Sequence, residues 1–304
     1  MSHAAIFPGQ GAQLVGMGLD VAREHPAAAT VFAEADATLG FKLSELCFHG
    51  PAERLNATDI QQPAIFTTSV ALFRAAVAAG KLAADSFAAM GGLSLGEYTA
   101  LHLAGAMSFA DGLRLVYRRG QLMQQAAEQE PGGMVSLLGG DEEKVLALCE
   151  RVQQHGRVRP ANFNCPGQIV ISGDKAACDA VVAAAEESGL RAVPLPVAGA
   201  FHSELMRSAA EGLRPALASC EFARPRVRVI ANVDAEYHAG PDEIRAALYR
   251  QVTDPVRWQG CVERLIADGC TDFWEVGPNR HLTGMMRKIN RSAKTTNIST
   301  AADL

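Results

Sequence analysis

Phe87-Ala88-Ala89-Met90-Gly91-Gly92-Leu93-Ser94-Leu95-Gly96-Glu97 decides how this chain reads. The small apolar residues up to Gly91 predict a buried strand, Gly92–Gly96 spells G-x-S-x-G, and a helical stretch opens at Glu97. Strand, tight turn and helix in that order make a nucleophile elbow: the serine sits on a sharp turn with its hydroxyl exposed, and the flanking glycines admit neighbouring backbone. Ser94 is therefore the candidate nucleophile for acyl transfer. The amide of Leu95 points into the same space and can stabilise an oxyanion there. The pentapeptide alone also fits an ordinary small-residue turn, so Ser94 needs partners elsewhere in the chain before its chemistry is specified.

Before the elbow, Ala4–Phe7 reads as a strand entering the loop Pro8-Gly9-Gln10-Gly11-Ala12-Gln13, and helical patterns cover residues 26–39 and 59–79. After it, Ser108-Phe109-Ala110-Asp111 has the form of a capping box, opening a helix with Leu113, Val116, Gly120 and Met123 on one face and ending near Ala127. From Glu130 to Pro196 the pattern becomes strand 134–138, helix 141–153, strand 158–164, strand 168–172, helix 175–188 and strand 191–195. That βαββαβ order is the split βαβ of a ferredoxin-like unit. Pro131-Gly132-Gly133 and Pro196-Val197-Ala198-Gly199 bracket it, and strand and helix patterns resume over 227–231, 242–251, 262–268 and 272–276. The fold expected is α/β. Residues 1–129 and 197–304 form an α/β-hydrolase-like catalytic subdomain on a parallel sheet, and residues 130–196 form an inserted ferredoxin-like small subdomain.

A chain of 304 residues, 48% hydrophobic and 20% charged, has ample material for such a core. No run approaches the roughly eighteen apolar residues of a membrane span, and the first residues lack the charged and apolar regions of a secretory signal. The expectation is a cytoplasmic protein with no membrane partner. The seven cysteines are odd in number and scattered, with no C-x-x-C pair and no histidines at zinc spacing, so neither bridges nor a metal site is expected. A formal net charge of -5 argues against bulk nucleic-acid binding.

A serine hydroxyl is a weak nucleophile until a base takes its proton. Of the eight histidines, His202 is the best candidate. It lies in Ala198-Gly199-Ala200-Phe201-His202-Ser203, where small residues deliver an imidazole to the start of a helix with Met206, Ala210, Leu213 and Leu217 on its apolar face. His3, His25, His49, His155 and His238 sit in polar or terminal settings, and His102 and His281 read as core or turn residues. A histidine beside phenylalanine also fits a satisfied interior residue, and that alternative stands at this point. Arg119 adds a third clue, because its neighbours three and four residues away are Leu115, Val116, Leu122 and Met123, whereas Arg118 has Arg114 and Gln121. An arginine on an apolar stripe either snorkels to the surface or pairs its planar fork with a carboxylate.

With these residues in view the chain resembles the malonyl-CoA:acyl carrier protein transacylases and the related acyltransferase domains of fatty acid and polyketide synthases. The resemblance runs over nearly the whole chain. It is carried by Pro8–Gln13, Gln62-Pro63-Ala64, Ser94-Leu95-Gly96-Glu97-Tyr98, Arg119-Gly120 with Met123-Gln124, Asn162-Phe163-Asn164 with Pro166-Gly167-Gln168, Gly199–Ser203, and Gln251 through Trp258. It implies that Ser94 is acylated and that His202 is its base, in a dyad whose imidazole is oriented by a main-chain carbonyl near Gln251. It further implies oxyanion-hole amides from Gln10 and Leu95, a malonyl carboxylate bound by Arg119, and substrate-binding roles for Gln62, Phe201, Asn162 and Gln251. Phe201 matches the bulky residue of malonyl-selective members. Many members place a histidine before the serine where this chain has Leu93.

The activity so implied is ping-pong transfer of malonyl from malonyl-CoA to the phosphopantetheine thiol of an acyl carrier protein. No cofactor is expected, because thioester exchange is nearly thermoneutral. Arg287, Lys288, Arg291 and Lys294 are the candidate docking surface for an acidic carrier, with a solvated helix end as the alternative. A trans-acting polyketide synthase acyltransferase is a neighbouring reading. A serine hydrolase on acyl thioesters is a rival, but the acids between Ser94 and His202, such as Glu186-Glu187, read as the exposed face of an insert helix. A non-enzymatic interaction domain is the second rival, and the Ser94, His202 and Arg119 set argues against it.

Overall fold

In the computed structural model, which describes residues 2–304, the apolar N-terminal run forms strand β1 (Ser2–Phe7). Helices α1 (Leu19–Glu24), α2 (Pro26–Leu39), α3 (Leu43–His49), α4 (Ala52–Leu55) and α5 (Thr58–Ala78) follow. The elbow is β2 (Phe87–Gly92) running into α6 (Leu95–Leu103), then α7 (Phe109–Gln129). The insert comprises β3 (Gly132–Leu138), α8 (Glu142–Arg151), β4 (Val158–Cys165), β5 (Gln168–Asp174), α9 (Lys175–Ala184) and β6 (Arg191–Pro194). The chain closes with α10 (Arg207–Ser219), β7 (Arg228–Val229), α11 (Pro241–Gln251), α12 (Trp258–Ala267), β8 (Cys270–Val276), α13 (His281–Ile289) and β9 (Lys294–Ile298).

Two sheets organise these elements. β7-β2-β1-β8-β9 is five-stranded and wholly parallel. Its central strands β1 and β2 are almost entirely buried, as strands covered by helices on both faces must be. β4-β5-β3-β6 is four-stranded and antiparallel, with α8 and α9 packed on it, which is the ferredoxin-like arrangement. No helix of the described residues is long and apolar enough to cross a membrane.

Several boundaries differ from those read in the sequence, each for a local reason. The pattern at 227–231 yields a strand of two residues, after which the Ile230 amide still donates to the Met90 carbonyl but Ile230 pairs with Tyr237 in an isolated bridge. The helix from Lys175 stops at Ala184, and residues 186–188 form a tight turn closed by Gly189 at φ 67. At the start of α7 only half the capping box is made: Ser108 Oγ accepts the Asp111 amide, but the Asp111 carboxylate takes the Ser108 hydroxyl rather than its amide. Lys294 opens a β-strand instead of closing a helix.

Candidate active site

The elbow depends on bare glycines. A Cβ on Gly96 would stand 2.1 Å from the Phe7 carbonyl oxygen, and one on Gly92 would stand 2.1 Å from the Gly96 carbonyl carbon. Only hydrogen at both positions lets β2 turn into α6 against the end of β1. The turn leaves Ser94 at φ 50, and His202 sits at φ 57; both are non-glycine residues in sparsely populated backbone, held by their surroundings.

Ser94 Oγ lies 2.9 Å from His202 Nε2. On the far side of the ring, His202 Nδ1 is 2.7 Å from the main-chain carbonyl of Gln251. A carbonyl can only accept, so Nδ1 carries the proton and the neutral ring keeps a free lone pair on Nε2 for the serine. Burial pulls the imidazole down to about 3 from its ordinary 6.5, and the charge of Arg119 adds to the depression. Among the described residues the ring nitrogens meet Ser94 and Gln251 and no carboxylate, and Glu186 and Glu187 are exposed on the turn before β6.

Arg119 is 2% exposed, against the surface position of Arg118. α7 can approach α5 this closely because Gly120 meets it; a Cβ there would be 2.6 Å from the Thr58 carbonyl oxygen. The guanidinium donates to Gln62 Oε1 at 2.6 Å, to Ser94 Oγ at 3.0 Å and to Gln251 Oε1 at 3.1 Å, and lies over the Tyr98 ring. Its Nε has no partner, and every acceptor it has among the described residues is neutral. A buried cation so surrounded has no anion among its hydrogen-bond partners, a costly arrangement.

A cavity of about 120 Å³ opens over Ser94 and His202, lined also by Gln10, Asn162 and Phe201. Phe201, Met134, Val170 and Leu195 make its wall apolar and close. Strand alternation explains the polar side: Asn162 and Asn164 of β4 face this cavity, while Phe163 and Cys165 face a separate surface cleft. Leu93 lines the cavity with an apolar side chain and packs in one cluster with Cys165, Val256 and Met285. The amides of Gln10 and Leu95 have no acceptor among the described residues.

Two sequence readings of histidines are corrected. His238, read in a polar or terminal setting, is buried, with Nε2 3.0 Å from Glu97 Oε1. His281 is neither core nor turn; it is exposed on α13 at the cavity rim. Sequence reading also missed Asn232, whose Oδ1 accepts the Ser94 amide at 2.6 Å, and gave Glu97 no role beyond a motif position. The available signal was a glutamate in the first turn after the nucleophile, which reads equally well as a helix-start residue.

Residues 5–302 match the model of the acyl transferase domain family. The chain belongs to the malonyl CoA-acyl carrier protein transacylases. It is 43% identical over 298 residues to the Bacillus subtilis malonyl CoA-acyl carrier protein transacylase, covering 97% of this chain and 93% of that one. Its structure superposes on the acyl-carrier-protein S-malonyltransferase of Bartonella henselae with TM-score 0.96 and 40% identity, covering 100% and 97% of the two chains. A malonyl-transacylase solved in complex with its type II PKS acyl-carrier protein superposes with TM-score 0.95 and 39% identity, covering 100% and 97%. The dyad, the buried arginine and the small cavity described above are therefore features of a transacylase of this family.

Proposed function

We propose that this protein transfers malonyl from malonyl-CoA to the phosphopantetheine thiol of an acyl carrier protein through a malonyl-Ser94 intermediate. The observation that carries the reading is the buried Arg119 guanidinium, with neutral partners only, 3.0 Å from the nucleophile. An acyl chain ending in a carboxylate supplies the missing charge.

The malonyl carboxylate seats on Arg119, with Gln62 and Gln251 holding the guanidinium fork. Ser94 Oγ attacks the thioester carbonyl as its proton moves to His202 Nε2. The amides of Gln10 and Leu95 receive the oxyanion, each contributing on the order of 3 kcal/mol. The C–S bond then breaks, and the imidazolium returns the proton to the departing CoA thiol. The carrier thiol repeats these steps in reverse, giving up its proton to His202 as it takes the malonyl group.

The depressed basicity of His202 fits this order of events. Arg119 is one cause of the depression, so a carboxylate on Arg119 cancels that charge and strengthens the base beside it. The substrate that fits the site thereby activates it. Phe201 and the 120 Å³ cavity limit the acyl group to small size and crowd a 2-methyl branch. Exchange of one thioester for another needs no net driving force, so we assign the enzyme no cofactor, and we place it in the cytoplasm.

The carrier approaches along α13 in this reading. His281 and Met285 of that helix line the cavity, and Arg287, Lys288, Arg291 and Lys294 beyond them are exposed and outside every ion pair of the described residues. Incubation with malonyl-CoA, with and without holo carrier protein, tests the function. Malonyl-carrier protein is expected, whereas release of free malonate without transfer would favour the hydrolase.

A further inference from the structure

Beneath the elbow lies a carboxylate that the transfer chemistry never touches. Glu97 occupies the first turn of α6, where an acidic side chain ordinarily folds back on the amide of the capping residue. Here that amide, on Ser94, goes to Asn232 Oδ1, and Glu97 turns inward to 1% exposure. A buried carboxylate persists only where donors surround it. Its Oε2 accepts from Gln251 Nε2 at 2.7 Å and from the Asn232 amide at 2.9 Å, and its Oε1 meets His238 Nε2 at 3.0 Å.

Two of these donor residues also hold the catalytic groups. Asn232 carries the Ser94 amide on Oδ1 and the Gly92 carbonyl on Nδ2. Gln251 gives its main-chain carbonyl to His202 Nδ1 and its Oε1 to Arg119 Nη2. A side-chain amide can seat either way round, and its partners decide which. Glu97 Oε2 and the Ser94 carbonyl both accept from Gln251 Nε2, which leaves the amide oxygen for the guanidinium. Loss of the Glu97 carboxylate removes the nearest of the acceptors that set this orientation, at 2.7 Å against 3.0 Å for the Ser94 carbonyl and 3.5 Å for Asn232 Oδ1, together with the acceptor of the Asn232 main-chain amide.

We propose that Glu97, paired with His238, is a positioning residue that fixes Gln251 and Asn232, and through them the nucleophile, the base and the carboxylate receptor together. It touches no reacting atom. The inference rests on the malonyl-transfer reading, since the receptor it orients is Arg119.

The test compares the parent enzyme with Glu97→Ala and Glu97→Gln on malonyl-CoA and acetyl-CoA, using holo carrier protein as acceptor. Rates are expressed per folded site, counted by near-UV circular dichroism, and the labelling rate of Ser94 by a small neutral sulfonyl fluoride is measured alongside. Glu97→Ala is expected to lose on the order of 100-fold in kcat for malonyl transfer, as a misplaced catalytic geometry does. It should also lose much of its malonyl-over-acetyl preference and be labelled more slowly at Ser94. Glu97→Gln can turn its oxygen to Gln251 and its amide to an unprotonated His238 nitrogen, so it should recover most of all three. A merely structural Glu97 would change the folded fraction and leave the normalised preference and labelling rate untouched; that result overturns the proposal, as does a glutamine variant no better than alanine. Should the alanine variant not fold, Glu97→Asp keeps a charge for His238 and withdraws it from Gln251 by one methylene. Loss of acyl preference in that variant supports the proposal, and unchanged preference overturns it. The parent enzyme is measured first: absence of malonyl preference there would refute the malonyl-transfer reading itself, not the role of Glu97.

Discussion

Replacing Arg119 by alanine separates what the site does for a carboxylated acyl group from what it does for any acyl group. The guanidinium is 2% exposed and hydrogen-bonded to neutral Gln62, Ser94 and Gln251, so a malonyl carboxylate is the charge that completes it. Two unit charges about 4 Å apart attract by about 4 kcal/mol at an effective dielectric near 20, and truncating one partner of such a buried pair costs roughly 2–5 kcal/mol. At about 1.4 kcal/mol per decade, a central loss of about 3–4 kcal/mol lowers kcat/KM for malonyl-CoA on the order of 10²- to 10³-fold. Acetyl-CoA makes no use of the charge, and its transfer should stay level or rise. The assay is initial-rate transfer to holo carrier protein from each donor, with kcat/KM compared as a ratio. An unchanged malonyl-to-acetyl ratio would remove Arg119 from the acyl site and refute the reasoning.

Gly96→Ala should abolish transfer and destabilise the fold by more than about 3 kcal/mol, because its Cβ would stand 2.1 Å from the Phe7 carbonyl oxygen; a urea midpoint equal to the parent's would contradict the elbow geometry. His202 is held neutral by burial, so kcat/KM should show no acidic limb at 6.5, and removing the Arg119 charge should move the limb upward from its depressed position. The sign for stability follows from the same shift. Below 6.5 the unfolded chain binds protons at His102 and His202 that the folded chain, with values of about 4 and about 3, does not, so stability falls on acidification by up to about 2 kcal/mol per histidine at pH 5. An imidazole of His202 that titrates near 6.5 by NMR would contradict this. Arg287→Glu with Lys288→Glu should raise KM for the carrier protein while leaving loading of Ser94 from malonyl-CoA largely intact; an unchanged KM returns those residues to an ordinary solvated surface.

The sequence made the elbow legible because its determinants are local. Glycines at 92 and 96 bracket the serine, and an apolar run precedes them. Arg119 was legible from helical periodicity, since an arginine whose neighbours on the helix face are leucine, valine and methionine is buried unless it snorkels. The ferredoxin-like insert followed from alternating strand and helix patterns, and β3 to β6 pair in the order that motif requires. What stayed hidden is long-range. Glu97, Asn232, His238 and Gln251 meet across separations of up to 154 residues, and a carboxylate in a first helical turn looks the same whether it caps the helix or anchors a buried network. His238 was read only as a residue in a polar or terminal setting, and its burial depends on the pairing of Ile230 with Tyr237, which brings its ring to Glu97. β7 was read too long, and the strand at Lys294 was missed because edge strands need little apolar patterning of their own.

Intact-mass measurement of the enzyme after brief exposure to malonyl-CoA, followed by peptide mapping, reaches the centre of the account. One malonyl group on Ser94, discharged by holo carrier protein and absent from a Ser94→Ala variant, is the result expected. Transfer of malonyl to the carrier by an enzyme that never carries the group on Ser94, or that retains its rate after Ser94→Ala, would contradict it.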